Sequence, residues 1–166
     1  MKVHFEIVKA EVVEFEVIQT LAYEIWPSFY ASIISFDQIE YMLRLRYSFD
    51  ALLLQAQNGQ EFFLAKQNGI SVGFIGFTPD QKYSLKIDKL YLIEESRGKG
   101  FGKTMIRFVE ERAKVLGAEV LFLNVHRFNA SLQFYKKVGF EVIENVDIPF
   151  GPFWLNDFIL QKKLIP

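Results

Sequence analysis

The stretch that most constrains this chain covers residues 95–111, ESRGKGFGKTMIRFVEE, in which a glycine-rich basic turn leads into an amphipathic segment. Gly98, Gly100 and Gly102 occupy alternate positions, where the lack of a Cβ lets the backbone turn and approach another group closely. A turn of this kind at a helix N-terminus presents unpaired N–H groups and the positive end of the helix dipole to an anion. We therefore expect a phosphate-binding turn that opens a helix.

Apolar periodicity predicts the other elements and their order. The predicted strands cover Val3–Ala10, two segments of residues 61–79 joined at Asn68-Gly69, then residues 84–95, 119–125, 140–146 and 153–164. The predicted helices cover residues 11–30 with Pro27 near the end, Phe36–Tyr47, Phe49–Gln57, a stripe from Met105 to Leu116 stopped by Gly117, and a segment from Asn129 as N-cap to about Val138, ended by Gly139. This order predicts one mixed α/β domain over residues 1–166.

Composition excludes several classes of protein. The 19 Lys and Arg nearly balance 20 Asp and Glu, which argues against a nucleic-acid partner. The absence of cysteine removes disulfides, thiolate metal sites and a Cys nucleophile. The N-terminal letters do not resemble a signal peptide and no apolar run is long enough to span a bilayer, so we expect a soluble cytoplasmic protein without a membrane partner. The 18 phenylalanines indicate either an aromatic-lined pocket or an apolar interface, such as that of a homodimer.

Two nucleotide-binding patterns fit the glycine turn poorly. Gly102, Lys103 and Thr104 match the end of a P-loop, but Arg97 stands where that pattern needs its first glycine. The dinucleotide pattern G-x-G-x-x-G would begin at Gly98 and has a lysine at its third glycine position. Neither a nucleotide triphosphate site nor a dinucleotide site is therefore favoured.

A third pattern, [R/Q]-x-x-G-x-[G/A], fits residues 97–102 completely. This stretch resembles the acetyl-CoA-binding signature of the GNAT N-acetyltransferase superfamily. Residues 124–143, NVHRFNASLQFYKKVGFEVI, resemble the second signature of the same family. The resemblance implies a central, mostly antiparallel twisted sheet flanked by about four to five helices. It also implies acetyl-CoA as the co-substrate and no metal.

The resemblance assigns roles to residues of both motifs. The backbone of the strand before the turn would bind the pantetheine arm, and the turn would bind the pyrophosphate. Asn129 would contact the pantetheine region and also act as an N-cap. Tyr135 would be the general acid that protonates the departing thiolate. The implied cofactor-binding residues are Leu90, Tyr91, Leu92, Arg97, Gly98, Lys99, Gly100, Phe101, Gly102, Lys103, Thr104 and Asn129.

The general base is left open by the sequence. Family members often place a glutamate on the strand before the turn, and equal loop length puts Lys86 at that position. Asp88 should face the same side of the strand two residues later, and His126 follows the strand of residues 119–125. Asp88, His126 and water alone are the three candidates.

The acceptor is expected to bind between the first two helices and the last strands. The candidate residues are Glu24, Trp26, Phe29, Tyr30 and Trp154, with further aromatic and acidic residues in the same segments: Phe36, Asp37, Glu40, Tyr41, Phe150, Phe153 and Asp157. Aromatic walls with carboxylates suit a cationic amine, although an aromatic core and dimer contacts would use the same residues. The ending FWLNDFILQKKL resembles the bacterial branch related to spermidine/spermine acetyltransferases and slightly favours a small polyamine-like acceptor. Protein N-termini, lysines and amino sugars stay open, as does an acyl-CoA-sensing or partner-binding module without turnover.

Overall fold

The computed structural model describes residues 2–80 and 82–164. The strands are β1 (Phe5–Lys9), β2 (Glu61–Gln67), β3 (Ile70–Asp80), β4 (Ser84–Leu92), β5 (Val120–His126), β6 (Glu141–Phe150) and β7 (Phe153–Lys163). The α-helices are α1 (Phe15–Tyr30), α2 (Phe36–Tyr47), α3 (Phe49–Gln57), α4 (Phe101–Val115) and α5 (Leu132–Lys137). In these described ranges, no helix is both long and apolar enough to cross a bilayer.

The seven strands form one sheet in the order β1-β2-β3-β4-β5-β7-β6. Strands β1 to β4 form an antiparallel meander, and β5, β7 and β6 form a second antiparallel group. The two groups are joined by β4 and β5, which run parallel because α4 connects them as a crossover. The mostly antiparallel sheet with five flanking helices confirms the predicted fold class.

The sheet opens between the carboxyl ends of β4 and β5. Their parallel pairing joins Ser84–Ile87 to Val120–Leu123 and stops there within the described chain. The opening coincides with a β-bulge, because Gly76 pairs with Lys89 while Phe77 pairs with Ile87, which leaves Asp88 without a partner on β3. Beyond the bulge, β4 continues along β3 and β5 continues along β7, so a cleft separates the two strands.

Each face of the sheet carries its own apolar core. One core packs α4 and α5 against residues such as Phe77 and Leu121, and the other packs α1 to α3 against residues such as Phe74. Phe74 and Phe77 are both fully buried, on opposite faces. Much of the phenylalanine content therefore fills these two layers, and only part of it reaches a pocket.

Several element boundaries differ from those predicted. Helix α5 begins at Leu132 with Ser131 as N-cap, whereas Asn129 was the predicted cap. The Asn129 side chain instead accepts a hydrogen bond from the Ser131 N–H at 2.7 Å and closes a turn before the helix. Helix α1 begins at Phe15, four residues later than predicted, whereas it ends at Tyr30 with Pro27 near its end, as predicted.

Candidate active site

Two cavities meet at the opening between β4 and β5. The first, called the groove, has a volume of about 600 Å³ and extends toward the start of α4. The second, called the inner cavity, has a volume of about 470 Å³ and lies between α1, α2 and the β6–β7 hairpin. The residues that line both are Tyr30, Ile87, Asp88, Lys89, Tyr91, Asn124 and Val125. A molecule in one cavity can therefore reach a molecule in the other at the bulge of β4.

The outer end of the groove is the predicted glycine turn. Gly98 and Gly100 have φ values of 74° and 84°, a left-handed conformation that favours glycine. Gly100 is the N-cap of α4, and in the described chain no side chain caps the first N–H groups of that helix. A Cβ placed at either glycine would meet no atom within 4 Å, so the turn faces open space. The arrangement leaves room and N–H donors for an anion.

Arg97 is fixed at the mouth of the groove. Its Nε donates to the carbonyl of Leu92 at 3.0 Å, and its guanidinium lies 5.0 Å from the centre of the Phe29 ring. These contacts hold the cation beside the uncapped helix end, where its remaining N–H groups can bind phosphate oxygens.

The structure places most, but not all, of the predicted cofactor residues in the groove. Those that line it are Leu90, Tyr91, Leu92, Arg97, Gly98, Gly100, Gly102, Lys103 and Asn129. Lys99 lies exposed between two glycines and outside the groove lining. Phe101 stacks on Phe5 with ring centres 4.1 Å apart, and the Thr104 hydroxyl donates to the Gly100 carbonyl at 3.2 Å. Phe101 thus attaches α4 to β1, and the Thr104 hydroxyl bonds within the first turn of α4, so neither side chain lines the groove.

Tyr135 lies at the wall of the groove on α5. It is buried and packs edge-on against Phe134 and Phe140. Burial raises the pKa of its phenol well above the ordinary value, so the hydroxyl stays protonated at neutral pH. Among the described residues the hydroxyl has no hydrogen-bond partner, and it is therefore free to donate into the groove.

The two candidate bases differ in their surroundings. The Asp88 carboxylate lines both cavities and accepts a hydrogen bond from the Thr78 hydroxyl at 2.6 Å, which leaves its other oxygen free. His126 lines the inner cavity, and its Nδ1 accepts from the Phe128 N–H at 3.1 Å. Burial lowers the pKa of His126, an effect that Asp157 opposes. Because a neutral imidazole with Nδ1 as acceptor carries its proton on Nε2, this histidine has no free lone pair for a second proton.

The predicted acceptor residues divide into three groups. Trp26 and Tyr30 line the inner cavity, while Phe29 lines the groove. Glu24 is exposed on α1 and Trp154 is 55% exposed on β7, so both lie outside the two cavities. Strand alternation explains the second result, since the neighbouring Leu155 is the residue of β7 that faces inward.

The further aromatic and acidic residues of those segments lie in three different places. Phe150 and Asp157 line the inner cavity. Tyr41 packs against Phe150 and Phe153 behind the cavity wall. The exposed residues are Phe36, Asp37 and Glu40.

Sequence reasoning missed Lys89, the most unusual side chain of the site. Lys89 is 5% exposed, and its Nζ donates to the side-chain carbonyls of Gln55 and Gln60 at 2.6 and 2.7 Å. Burial lowers its pKa from 10.5 to about 7. Regular alternation from Ile87 would turn Lys89 toward α4, but the bulge turns it toward α3. The adjacent Asp-Lys pair inside an apolar strand was the one available signal.

Comparison with known proteins agrees with this architecture. The Acetyltransferase (GNAT) family matches residues 18–140. The spermidine N(1)-acetyltransferase of Thermoplasma acidophilum is 33% identical in an alignment 164 residues long, which covers 95% of this chain and 96% of that protein. An uncharacterized N-acetyltransferase of Lactobacillus delbrueckii subsp. lactis is 26% identical in an alignment 118 residues long, which covers 66% of this chain and 68% of that protein.

Solved structures show the same fold. The PaiA N-acetyltransferase of Thermoplasma acidophilum, crystallised in complex with coenzyme A, superposes with a TM-score of 0.83 and 32% identity, covering 96% of this chain and 99% of that one. A GCN5-related N-acetyltransferase of Rhodopseudomonas palustris, at 20% identity and 98% coverage of both chains, has a TM-score of 0.82 and supports the fold alone. With the family match, the near full-length relative and the shared fold in agreement, this chain belongs to the GNAT family of acetyltransferases.

Proposed function

We propose that this protein transfers the acetyl group of acetyl-CoA to the primary amine of a small molecule, by direct attack while both substrates are bound. The observation that carries the proposal is the meeting of the groove and the inner cavity at the bulge of β4. Two separate substrates bound in the two cavities would have their reactive ends side by side, which lowers the entropic cost of the reaction.

The groove suits coenzyme A along its whole length. The uncapped start of α4, with Arg97 and Lys103 beside it, provides the N–H groups and charge that a pyrophosphate requires. Further in, the β5-facing backbone groups of Leu90, Tyr91 and Leu92 lie past the end of the β4–β5 pairing and can bind amides and a carbonyl oxygen. The Thermoplasma structure with coenzyme A supports this assignment. When bound, acetyl-CoA supplies an activated thioester carbonyl.

Tyr135 is the proposed general acid. Its phenol remains protonated at neutral pH and has no competing partner among the described residues. A phenol in this position can donate its proton to a thiolate leaving group.

Asp88 is the proposed general base. Of the two candidates it lines both cavities and keeps one carboxylate oxygen free, whereas the lone pair of His126 Nδ1 is already engaged. An acceptor arrives mostly as an ammonium ion, and a carboxylate at the junction can bind that ion and receive its proton directly or through water.

The size and walls of the inner cavity support a small acceptor. Its volume of about 470 Å³ is within the range of metabolite sites, and Trp26, Tyr30 and Phe150 provide aromatic walls. The name of the Thermoplasma relative, spermidine N(1)-acetyltransferase, supports a small-molecule amine as the acceptor. The chain has no cysteine to carry the acetyl group, which agrees with direct attack.

Thiol release from acetyl-CoA, measured against a panel of diamines, polyamines, amino acids and short peptides, tests this function. We expect turnover with at least one small amine, and a loss of about 100-fold in kcat for D88N. D50N removes an exposed carboxylate on α3 and is the matched control, for which we expect unchanged rates. Tight binding of acetyl-CoA with no turnover on any amine would contradict the proposal and favour a sensing module.

A further inference from the structure

The inner cavity carries more positive charge than a site for a polycation needs. Three basic side chains line it, Arg46, Lys86 and Lys89, against the two carboxylates Asp88 and Asp157. With a pKa of about 7, Lys89 is about half charged at neutral pH, so Arg46 and Lys86 alone already balance the two carboxylates. The pKa of His126, which also lines the cavity, is lowered by burial, so this histidine adds little charge near neutral pH. A polyamine that has given up one ammonium proton for reaction still carries one or more further positive charges. Because the basic side chains already balance the carboxylates of the cavity walls, no negative charge is left to neutralise those further positive charges.

Arg46 is the basic side chain best placed to bind a ligand. Its guanidinium lies 4.5 Å from the centre of the Phe150 ring, a contact that fixes its plane at the cavity wall. Within the described ranges, Arg46 forms no ion pair and its guanidinium N–H groups have no hydrogen-bond acceptor. Asp157 lies close enough for Arg46 to lower the pKa of that carboxyl. An arginine with five unused donors beside a cavity is suited to bidentate binding of a planar anion.

The backbone at Arg46 is held by the same network that holds Lys89. Gln55 donates from its Nε2 to the Arg46 carbonyl at 3.1 Å and accepts from the Lys89 Nζ at 2.6 Å. One side-chain amide on α3 therefore connects the end of α2 to the bulge of β4. This connection fixes the position of Arg46 relative to the point where the acetyl group would be transferred.

These cations are separate from those that would bind the coenzyme. Arg97 and Lys103 lie at the outer end of the groove, whereas Arg46 and Lys86 line only the inner cavity. The phosphates of coenzyme A would therefore bind at the outer end of the groove. Arg46 is then available to bind the acceptor.

We propose that the acceptor carries a carboxylate in addition to its reacting amine, and that Arg46 is the specificity-determining residue that binds this carboxylate. The inference rests on the proposed acetyltransfer, and it replaces the polyamine-like acceptor expected from the sequence with an amine of the amino-acid type. Asp88 would receive the ammonium end at the junction, and Arg46 the carboxylate end on the α2 side. Such an acceptor carries no net charge and matches a cavity wall that carries both signs.

Matched pairs of acceptors test the inference directly. Each pair has one chain length and one reacting amine, with either a carboxylate or a second ammonium at the far end, such as 4-aminobutanoate and 1,4-diaminobutane. Pairs of three chain lengths, together with the α-amino acids, vary the distance between the reacting amine and the far group. We expect the best carboxylate-bearing acceptor to exceed its diamine partner, and spermidine, at least 10-fold in kcat/KM. A higher kcat/KM for the diamines and spermidine would overturn the inference.

Variants at Arg46 test whether this residue causes the preference for carboxylate-bearing acceptors. R46Q should raise KM for the carboxylate-bearing acceptor about 10-fold or more with kcat changed less than about threefold, and R46K should recover part of the loss. R46E should reverse the order and favour the diamine. R44Q removes a neighbouring exposed arginine of α2 that lies against Tyr41 outside the cavity, and it should leave both acceptors unchanged.

The outcomes separate this inference from the proposed function. Faster turnover of diamines, with no change of preference in R46Q, contradicts the role of Arg46 and leaves the acetyltransfer intact. Absence of thiol release with every acceptor, while acetyl-CoA binds, contradicts the acetyltransfer and the inference together. Thermal melting of each variant shows that the altered kinetics come from a folded protein.

Discussion

At the scale of single residues, burial shifts the pKa values of Lys89 and Tyr135 in opposite directions. Both lie at the site among aromatic rings, and burial favours the neutral form of each. For a phenol the neutral form is the one that donates a proton, so burial keeps Tyr135, near neutral pH, in the form that its proposed role as an acid requires. For a lysine the neutral form is a base, and burial brings its titration down to the physiological range.

Replacement of Tyr135 by phenylalanine tests the acid directly. We expect Y135F to lower kcat about 100-fold, because the thiolate loses its proton donor, while KM for acetyl-CoA changes less than about threefold. Y83F, in the exposed turn before β4, is the control and should retain the parent rate. Since the pKa of Tyr135 lies well above 10, the parent rate should not fall between pH 7 and 9 through loss of this proton. A parent-like rate for Y135F would show that water or another group is the acid.

Titration of Lys89 should appear in the pH dependence of stability. The native pKa of about 7 lies below the 10.5 of an unfolded lysine, so the native protein binds fewer protons than the unfolded chain between these values. The free energy of unfolding of the wild type should therefore rise with pH across this window, relative to K89M, by up to about 1.4 kcal/mol per pH unit. Urea denaturation at pH 7, 8 and 9.5 measures the difference, with the exposed Lys86 changed to Met as control. Parallel pH profiles for wild type and K89M would mean that the native lysine keeps an ordinary pKa.

At the scale of elements, the sequence determines most of the fold by local pattern. Apolar periodicity predicts the helices and strands, because each buries one face, and the glycine turn predicts the start of α4. The bulge at Asp88 escapes this reasoning, since it depends on how β4 pairs with Gly76 and Phe77 of β3. No local pattern contains that information.

The contrast between local pattern and long-range pairing also explains which parts of the candidate site could be predicted. The groove follows from two motifs, so most of its residues could be predicted by number. The inner cavity is assembled from α1, α2, α3 and four strands, and no motif joins Arg46 to Lys89. The structure places Glu24 and Trp154 outside this cavity, because the sequence does not show which side chains of these segments turn inward.

The turn before α4 offers a prediction with an internal control. Gly100 and Gly59 both have positive φ, of 84° and 103°, and in both cases a Cβ would meet no atom within 4 Å. G100A and G59A should therefore each lower the free energy of unfolding by about 1–2 kcal/mol through backbone strain. G100A alone should also raise the Kd for coenzyme A, by about 10-fold, because the strained turn no longer presents the N–H groups of α4. Equal Kd values for the two variants would show that the turn does not bind the coenzyme.

At the scale of the whole molecule, the groove lies between the two halves of the sheet. Its lining comes from α1, β4, α4, β5 and α5, so a ligand there contacts elements of both cores. Binding of such a ligand should stabilise the folded protein as a unit.

Acetyl-CoA at 100 times its Kd should add about 2.7 kcal/mol to the free energy of unfolding and raise Tm by roughly 5–10 °C. Differential scanning calorimetry with and without the coenzyme measures this shift. R97Q should reduce the shift at equal ligand concentration, and added salt should reduce it as well, since phosphate binding is electrostatic. An unchanged Tm with millimolar acetyl-CoA would contradict binding in the groove.

The extra residue in β4 has a consequence for anyone who would improve this protein. If Asp88 were deleted, the side chains of β4 would alternate regularly between the two faces of the sheet from Ile87 onward. All the remaining side chains of the strand would keep their present faces. Straightened in this way, β4 could continue its ladder along β5 and close the sheet. The product would have gained backbone hydrogen bonds and lost the gap in which the two proposed substrates would meet. At this interruption of the sheet, selection for stability and selection for the proposed activity would therefore act in opposite directions.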